Sequence, residues 1–146
     1  MNVRRVTLED IDQLAPLFDG YMVFYRKPSN INKHRQYLEE RISKEEAIIF
    51  MADDGQGQAV GFTLLYPTFS SVSMARVYTL NDLFVHKDFR KRGVASMLMD
   101  KAASYGQSQG AVRLHLETEK DNIGAQALYE KEGWVKETNF FYYRQL

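Results

Sequence analysis

The residues best equipped for chemistry lie in one stretch, Leu80-Asn-Asp-Leu-Phe-Val-His-Lys-Asp-Phe-Arg-Lys-Arg-Gly-Val-Ala-Ser96. Its first half reads as a strand carrying Asp82 among apolar neighbours, Leu80, Leu83, Phe84 and Val85. A buried, unpaired carboxylate is costly, so a polar site explains Asp82 better than packing does. The second half is a basic loop, His86, Lys87, Arg90, Lys91 and Arg92, and it opens a helix at Gly93. A small residue there lets the backbone approach a ligand closely, and the first amides of a helix point outward without intrahelical partners. Such a terminus suits an anion, with phosphate or pyrophosphate the obvious guest. On charge alone, a solvated basic loop with a helix-capping glycine fits equally well. Neither the dinucleotide fingerprint G-x-G-x-x-G nor the P-loop string G-x-x-x-x-G-K-[ST] is present.

Other chemistries are excluded. The chain has no cysteine, which removes disulfide scaffolds, thiolate metal sites and a cysteine nucleophile together. His34 and His115 have no second ligand at zinc spacing, so no metal is expected. Ser70, Ser71 and Ser73 lack a G-x-S-x-G elbow and read as loop. Nineteen Lys and Arg balance nineteen Asp and Glu. That removes the overall electrostatic case for binding nucleic acid or membrane, and leaves any charged ligand to a local patch. Apolar runs are too short to span a bilayer, and Met-Asn-Val-Arg-Arg-Val lacks the apolar core of a secretory signal. The expectation is a soluble, cytoplasmic protein.

The elements that must position these residues are legible from periodicity. The chain has 146 residues, 45% apolar and 13% aromatic, enough for one domain over residues 1–146 that buries roughly two-thirds of its unfolded surface. Residues 2–6 read as a strand, and Thr7 with Asp10 resembles a capping box before the helical stripe Ile11, Leu14, Ala15, Leu17 and Phe18. A more polar helix follows over 32–43. Ala47–Ala52 and Val60–Tyr66 form a hairpin around Asp53-Asp-Gly-Gln-Gly57, with Pro67 as its stop. Arg76–Val85 is a long strand, and Val94, Met97, Leu98, Ala102 and Tyr105 make an amphipathic helix ended by Gly110. A strand over 112–118, a helix over 123–131 capped by Gly133, and two short strands near 134–138 and 140–145 complete the order β-α-α-β-β-β-α-β-α-β-β.

Two motifs in this frame carry a resemblance. Arg90-Lys-Arg-Gly93-Val-Ala95 matches [QR]-x-x-G-x-[GA], between a strand ending Leu83-Phe-Val85 and a long helix. Downstream, Asn122-Ile-Gly-Ala-Gln-Ala-Leu-Tyr-Glu-Lys-Glu-Gly-Trp134 matches N-x(6)-Y-x(3)-G-[WFY]. Together with the element order, the chain resembles the GNAT (general-control-related N-acetyltransferase) superfamily over essentially its whole length, most closely bacterial relatives of the histone/polyamine type. The resemblance implies an α/β (α+β) fold: a mixed, mostly antiparallel sheet of six to seven strands, flanked by about four helices and splayed between the fourth and fifth strands.

It also implies a site that binds acetyl-CoA. The backbone of Leu83, Phe84 and Val85 would hydrogen-bond the pantetheine arm like an added strand. The amides from Lys91 through Arg92, Gly93, Val94 and Ala95 to Ser96 would cradle the pyrophosphate, with Arg90 at the Gln/Arg position. Asn122 would contact the cofactor arm, and Tyr129 would lie near the thioester sulfur. Without the resemblance, Tyr129 reads as a core tyrosine beside Ala125 and Leu128.

The acid–base demands follow from elementary values. A departing thiolate resembles cysteine, with a pKa of about 8.5, and a tyrosine near 10 keeps its proton at neutral pH, so Tyr129 suits a general acid. A primary amine near 10.4 is mostly ammonium, and freeing its lone pair at pH 7 costs roughly 4–5 kcal/mol. A carboxylate must help. Asp82 matches an acidic position of polyamine acetyltransferases, whereas Asn81 stands where those enzymes carry a further acid. Glu117, late on the neighbouring strand, is a second candidate or a surface acid. Tyr21, Phe24 and Tyr25 offer aromatic faces to a cationic acceptor, or pack on the sheet.

The implied activity is direct acetyl transfer from acetyl-CoA to a small-molecule amine, a diamine, polyamine or lysine-like acceptor, in a ternary complex. Acetylation of protein lysines or N-terminal amines, and a non-catalytic acyl-CoA sensor, are the alternatives. A homodimer is a family expectation, for which the aromatic run Phe140–Tyr143 would supply an edge strand or apolar patch.

Overall fold

A computed structural model describes all of residues 1–146 and divides them into two units, Met1–Leu116 and Glu117–Leu146. In the first, β1 (Asn2–Arg5), β2 (Ile48–Asp53), β3 (Ala59–Ser70), β4 (Ala75–Val85) and β5 (Arg113–His115) form one sheet in the order β1-β2-β3-β4-β5. Neighbours are antiparallel except β4 and β5, which are parallel. The mixed sheet and its helices are those expected.

Helix α1 (Ile11–Phe24) begins where the sequence places it. The carboxylate of Asp10 accepts from the Thr7 N–H at 2.8 Å and from Arg4 at 2.6 Å. Its stripe Ile11, Leu14, Leu17 and Phe18 is buried, with Leu38 of α2 (Ile31–Ser43), against Ile49, Met51, Phe62 and Leu64 of the sheet. Helix α3 (Val94–Ser108) covers the opposite face, where its Tyr105 ring meets Phe50 and Tyr78. Because β2 is covered on both faces, Ile48-Ile-Phe-Met-Ala52 is a continuous apolar run rather than an alternating one. The α1–α2 connection is pinned by Asp19, which accepts from Ser29 Oγ at 2.6 Å and the Asn30 N–H at 2.8 Å, and lies 2.7 Å from His34 Nδ1. Burial alone would raise the Asp19 pKa, but these partners outweigh it and hold the carboxyl below its usual range.

Three expectations are corrected. Strand β3 runs through Pro67, which pairs with Tyr78. Pairing with β2 ends at Leu65, so beyond it β3 has a neighbour on one side only, and the missing proline N–H falls on an edge. Strand β5 covers 113–115 rather than 112–118, because its ladder with β4 ends at Thr79 and His115. The sheet has five strands rather than six to seven, and 135–146 take no regular secondary structure. In the second unit the only regular element is α4 (Ile123–Lys131), whose backbone bonds are satisfied along its own axis, so it offers the tail no ladder to join. Phe140 and Tyr142 are 88% and 87% exposed. No helix is long and apolar enough to cross a membrane.

Candidate functional site

Strand β4 is the platform. Past Thr79 it leaves β5 and runs on from Leu80 to Val85 paired with β3 alone. In an antiparallel ladder successive residues face opposite neighbours. The His86 N–H donates to Val60, so the backbone groups of Phe84 also turn towards β3, whereas those of Leu83 and Val85 turn to the open edge. Of the three residues expected to bind an extended arm, Leu83 and Val85 therefore carry the exposed groups, and the Val85 carbonyl already accepts from Arg90 Nε at 2.9 Å. Gly61 makes the close strand packing possible, since a Cβ there would stand 2.9 Å from the Phe84 carbonyl oxygen.

Midway along that stretch the register shifts: Leu64 pairs with Asp82 but Leu65 with Leu80, leaving Asn81 as the extra residue of a bulge. Asp82 shares the α1 and α2 face of the sheet with Phe84 and is 4% exposed. Its carboxylate accepts from Asn81 Nδ2 at 3.0 Å, and the Tyr21 hydroxyl, which donates to the Asn81 carbonyl at 3.4 Å, lies near enough to favour the charged form. Burial pushes its pKa up, and the two groups oppose that rise without cancelling it. Tyr66, near enough to feel the Asp82 charge, is pushed well above the usual tyrosine range by its burial, and its hydroxyl is bonded to that of Tyr37 on α2. The Arg41 guanidinium lies 4.9 Å over the Tyr37 ring. The result is a buried carboxylate with the Tyr21 and Tyr66 hydroxyls beside it, an environment that favours a cation or a transferable proton at Asp82.

Beyond β4, residues Lys87–Phe89 make a single 3-10 turn and the chain enters α3 through two left-handed residues, Lys91 (φ 60°) and Gly93 (φ 80°). The first intrahelical bond is Met97 N–H to Gly93 carbonyl, so the Val94 and Ala95 amides precede it. Gly93 has no side chain to cap them. Lys91, Arg92 and Gly93 are exposed, Ala95 and Ser96 half-buried. Arg92 lies 5.2 Å over the Phe89 ring. Arg90 departs from the simplest expectation: besides its bond to Val85, its guanidinium stacks near Phe84 and Phe24, at 5.7 and 5.8 Å from the ring centres, so it braces the turn against β4 and α1. The turn fits a pyrophosphate through its backbone amides and flanking basic side chains.

In the second unit, the spacing of the downstream motif has a local structural meaning. Asn122 Oδ1 accepts from Ala125 N–H at 3.2 Å and caps α4, which commits that oxygen and leaves ligand contacts to the side-chain amide. At the other end Trp134 N–H bonds the Tyr129 carbonyl at 2.9 Å and Gly133 N–H the Glu130 carbonyl at 3.2 Å, with Gly133 at φ 89°. This is a Schellman closure, whose usual apolar contact is supplied by the Trp134 ring, 6.2 Å from that of Tyr129. Asn, Tyr, Gly and Trp thus fix the start, the close and the tyrosine of one short helix. Glu117 is exposed and lies beyond β5 rather than on it.

Of the aromatic residues expected on α1, Tyr21 is turned onto the sheet and Tyr25 packs on it at 4.9 Å, while Phe24 is 51% exposed. The Tyr37 and Tyr66 pair and Arg41 went unseen in the sequence, since Tyr66 looks like the end of an ordinary strand.

Comparison with known proteins is consistent with this geometry. Residues 14–134 match the model of the acetyltransferase (GNAT) family. The chain is 42% identical to a Bacillus subtilis protein named as the uncharacterized N-acetyltransferase YhfO, covering 98% of this chain and 95% of that one. It is 27% identical to a Caenorhabditis elegans thialysine N-epsilon-acetyltransferase, over 91% of this chain and 82% of that one. Among solved structures, one described as a "probable acetyltransferase" superposes with a TM-score of 0.93 at 37% identity, covering 100% and 97% of the two chains. The aminoglycoside N-acetyltransferase AAC(6')-Iy, solved with CoA, shares the fold at a TM-score of 0.82 and 22% identity, covering 99% and 93%.

Proposed function

The chain belongs to the acetyltransferase (GNAT) family and is an acetyl-CoA-dependent N-acetyltransferase, and from that premise we propose that its acceptor is a small primary amine, a diamine, polyamine or lysine-like molecule, acetylated by direct attack in a ternary complex. We take residues 1–146 as one catalytic domain acting in the cytoplasm. The observation that carries this reading is the buried Asp82 carboxylate beside the Tyr21 and Tyr66 hydroxyls. The relative named for thialysine supports the lysine-like end of the acceptor range. A homodimer joined through the exposed run Phe140–Tyr143 belongs to the same proposal.

Acetyl-CoA supplies the activated thioester carbonyl. Leu83 and Val85 bind its extended arm at the open edge of β4, the Val94 and Ala95 amides with Lys91 and Arg92 hold its pyrophosphate, and Asn122 contacts it through the side-chain amide. Asp82 receives the ammonium as an ion pair and takes one proton from nitrogen, leaving the lone pair free to attack. Its raised proton affinity narrows the gap to an amine near 10.4 and makes it a better base than an exposed aspartate. Tyr129 donates its phenolic proton to the departing sulfur, the attacking nitrogen sheds its second proton as the adduct collapses, and, because ammonium plus thioester become amide plus thiol, one proton per turnover passes to solvent as Asp82 and Tyr129 return to their starting states. Phe24 and Tyr25 supply aromatic surface to the acceptor.

A panel of diamines, polyamines, lysine analogues and peptides, assayed by thiol release from acetyl-CoA, tests the acceptor class. Small amines should accelerate release well above peptides. Stimulation by peptides alone would overturn the small-molecule assignment. Tyr129→Phe should lose turnover yet bind acetyl-CoA as the parent does; unchanged transfer would remove Tyr129 from the mechanism.

A further inference from the structure

Helix α1 crosses the bulge of β4 at Gly20 and Tyr21. A Cβ on Gly20 would lie 3.2 and 3.3 Å from Cζ and Cε1 of Phe84, closer than most side chains tolerate, so glycine lets the helix lie against that ring. Tyr21 is thereby pressed onto the sheet. Its ring meets Phe62 and Phe84 edge-on, at 6.0 and 6.5 Å, and stacks with Phe18 at 6.1 Å. Its ring is thus committed to aromatic packing on the sheet. Its hydroxyl instead reaches the bulge, donating to the Asn81 carbonyl at 3.4 Å and lying near enough to the Asp82 carboxylate to favour its charged form.

We infer that Tyr21 is a positioning residue for Asp82: its hydroxyl, rather than its aromatic face, serves the reaction by favouring the charged carboxylate and fixing its orientation at the bulge. This rests on the reading of Asp82 as the base. Three elements face the carboxylate with polar groups: Tyr21 from α1, Asn81 from β4 itself, and Tyr66 from β3, with Tyr37 and Arg41 of α2 behind it. Asn81 donates to the anion, and the Tyr21 hydroxyl favours it. Tyr66, bonded to Tyr37, stays neutral across the working pH range. Loss of the Tyr21 hydroxyl leaves the ionised carboxylate less well satisfied, so Asp82 binds its proton more tightly.

The test is the pH profile of kcat/KM for Tyr21→Phe, which keeps the ring and removes only the hydroxyl. The acid limb should move up by about one pH unit, the size expected for one hydrogen bond to a charged group, and the plateau above it should fall as the carboxylate loses its fixed orientation. In an Asp82→Asn background the same substitution should cost almost nothing further, because its partner is gone. A parental pH profile, or an equal loss in both backgrounds, would overturn the inference. If Asp82→Asn alone is fully active with an unaltered profile, the base assignment itself fails, a separate outcome from failure of Tyr21. Should Tyr21→Phe fold poorly, Gly20→Ala, which moves α1 off Phe84, must shift the limb in the same direction, and an unmoved limb counts against the inference.

Discussion

Asp82→Asn preserves the shape of the bulge and removes the charge, and its consequences can be worked through. At pH 7 an amine of pKa near 10.4 is neutral in about one molecule in 2,500. Without a base, transfer must draw on that fraction, so turnover should fall by about two to three orders of magnitude, within the usual contribution of general base catalysis. The deficit should shrink by roughly tenfold per pH unit as the amine loses its own proton. Stability should move the other way. Burial raises the folded-state pKa of Asp82 above its ordinary 3.8. The native state therefore prefers the protonated acid, and the ionised form costs stability at every pH above about that value. Asparagine removes this cost, so the thermal midpoint should rise at pH 7 by roughly 2–4 °C for each kcal/mol recovered, and the gain should vanish below about pH 3.8. Thiol release from pH 6 to 10, with thermal unfolding at pH 7 and pH 3.5, measures both. Parental turnover at pH 7, or a deficit equal at every pH, would refute the reasoning, as would a lower midpoint at pH 7.

Other expectations follow from single contacts. Gly61→Ala places a Cβ 2.9 Å from the Phe84 carbonyl and 3.3 Å from Val94 Cγ1, so it should lose about 1–3 kcal/mol and raise KM for acetyl-CoA by displacing the edge of β4, checked by unfolding and initial rates. Trp134→Ala removes the ring that steadies Tyr129 and should lower kcat by about tenfold or more with little change in acetyl-CoA affinity, measured by steady-state kinetics and calorimetry. Asp19, held below the usual carboxylate range, stabilises the fold above about pH 3.8 and loses that contribution as the pH falls through its depressed value. Denaturant unfolding should accordingly show Asp19→Asn less stable than the parent at pH 7, with the two converging in strong acid.

The sequence was legible where one residue type answers to one local force. The Thr7–Asp10 capping box, Gly93, Gly110 and Gly133 at left-handed positions, and the α1 stripe all report on their immediate surroundings. It was less legible where the outcome depends on what lies alongside. Pro67 reads as a stop because a proline cannot join a central ladder, yet it sits where β3 has become an edge. The aromatic tail has strand-like composition but meets no ladder in its own unit. At the site, Asp82 stood out because a carboxylate among apolar residues needs a reason. Its surroundings did not, because Tyr21 reads only as an aromatic face for a cation or a packing ring, and Tyr37 and Tyr66, from two other elements, each look like ordinary packing. Arg90 was recognised as a ligand-turn residue, while its brace to Val85, Phe24 and Phe84 depends on contacts that spacing does not encode.

The central claim, direct acetyl transfer from acetyl-CoA to an amine, is tested most directly by following isotopically labelled acetyl-CoA with the enzyme in the presence and absence of the best acceptor amine. Label should pass to the amine in step with CoA release and never accumulate on the protein, with intersecting initial-velocity lines when both substrates are varied. Labelled protein in the absence of amine, with parallel lines, or CoA release without acetylated amine, would contradict it.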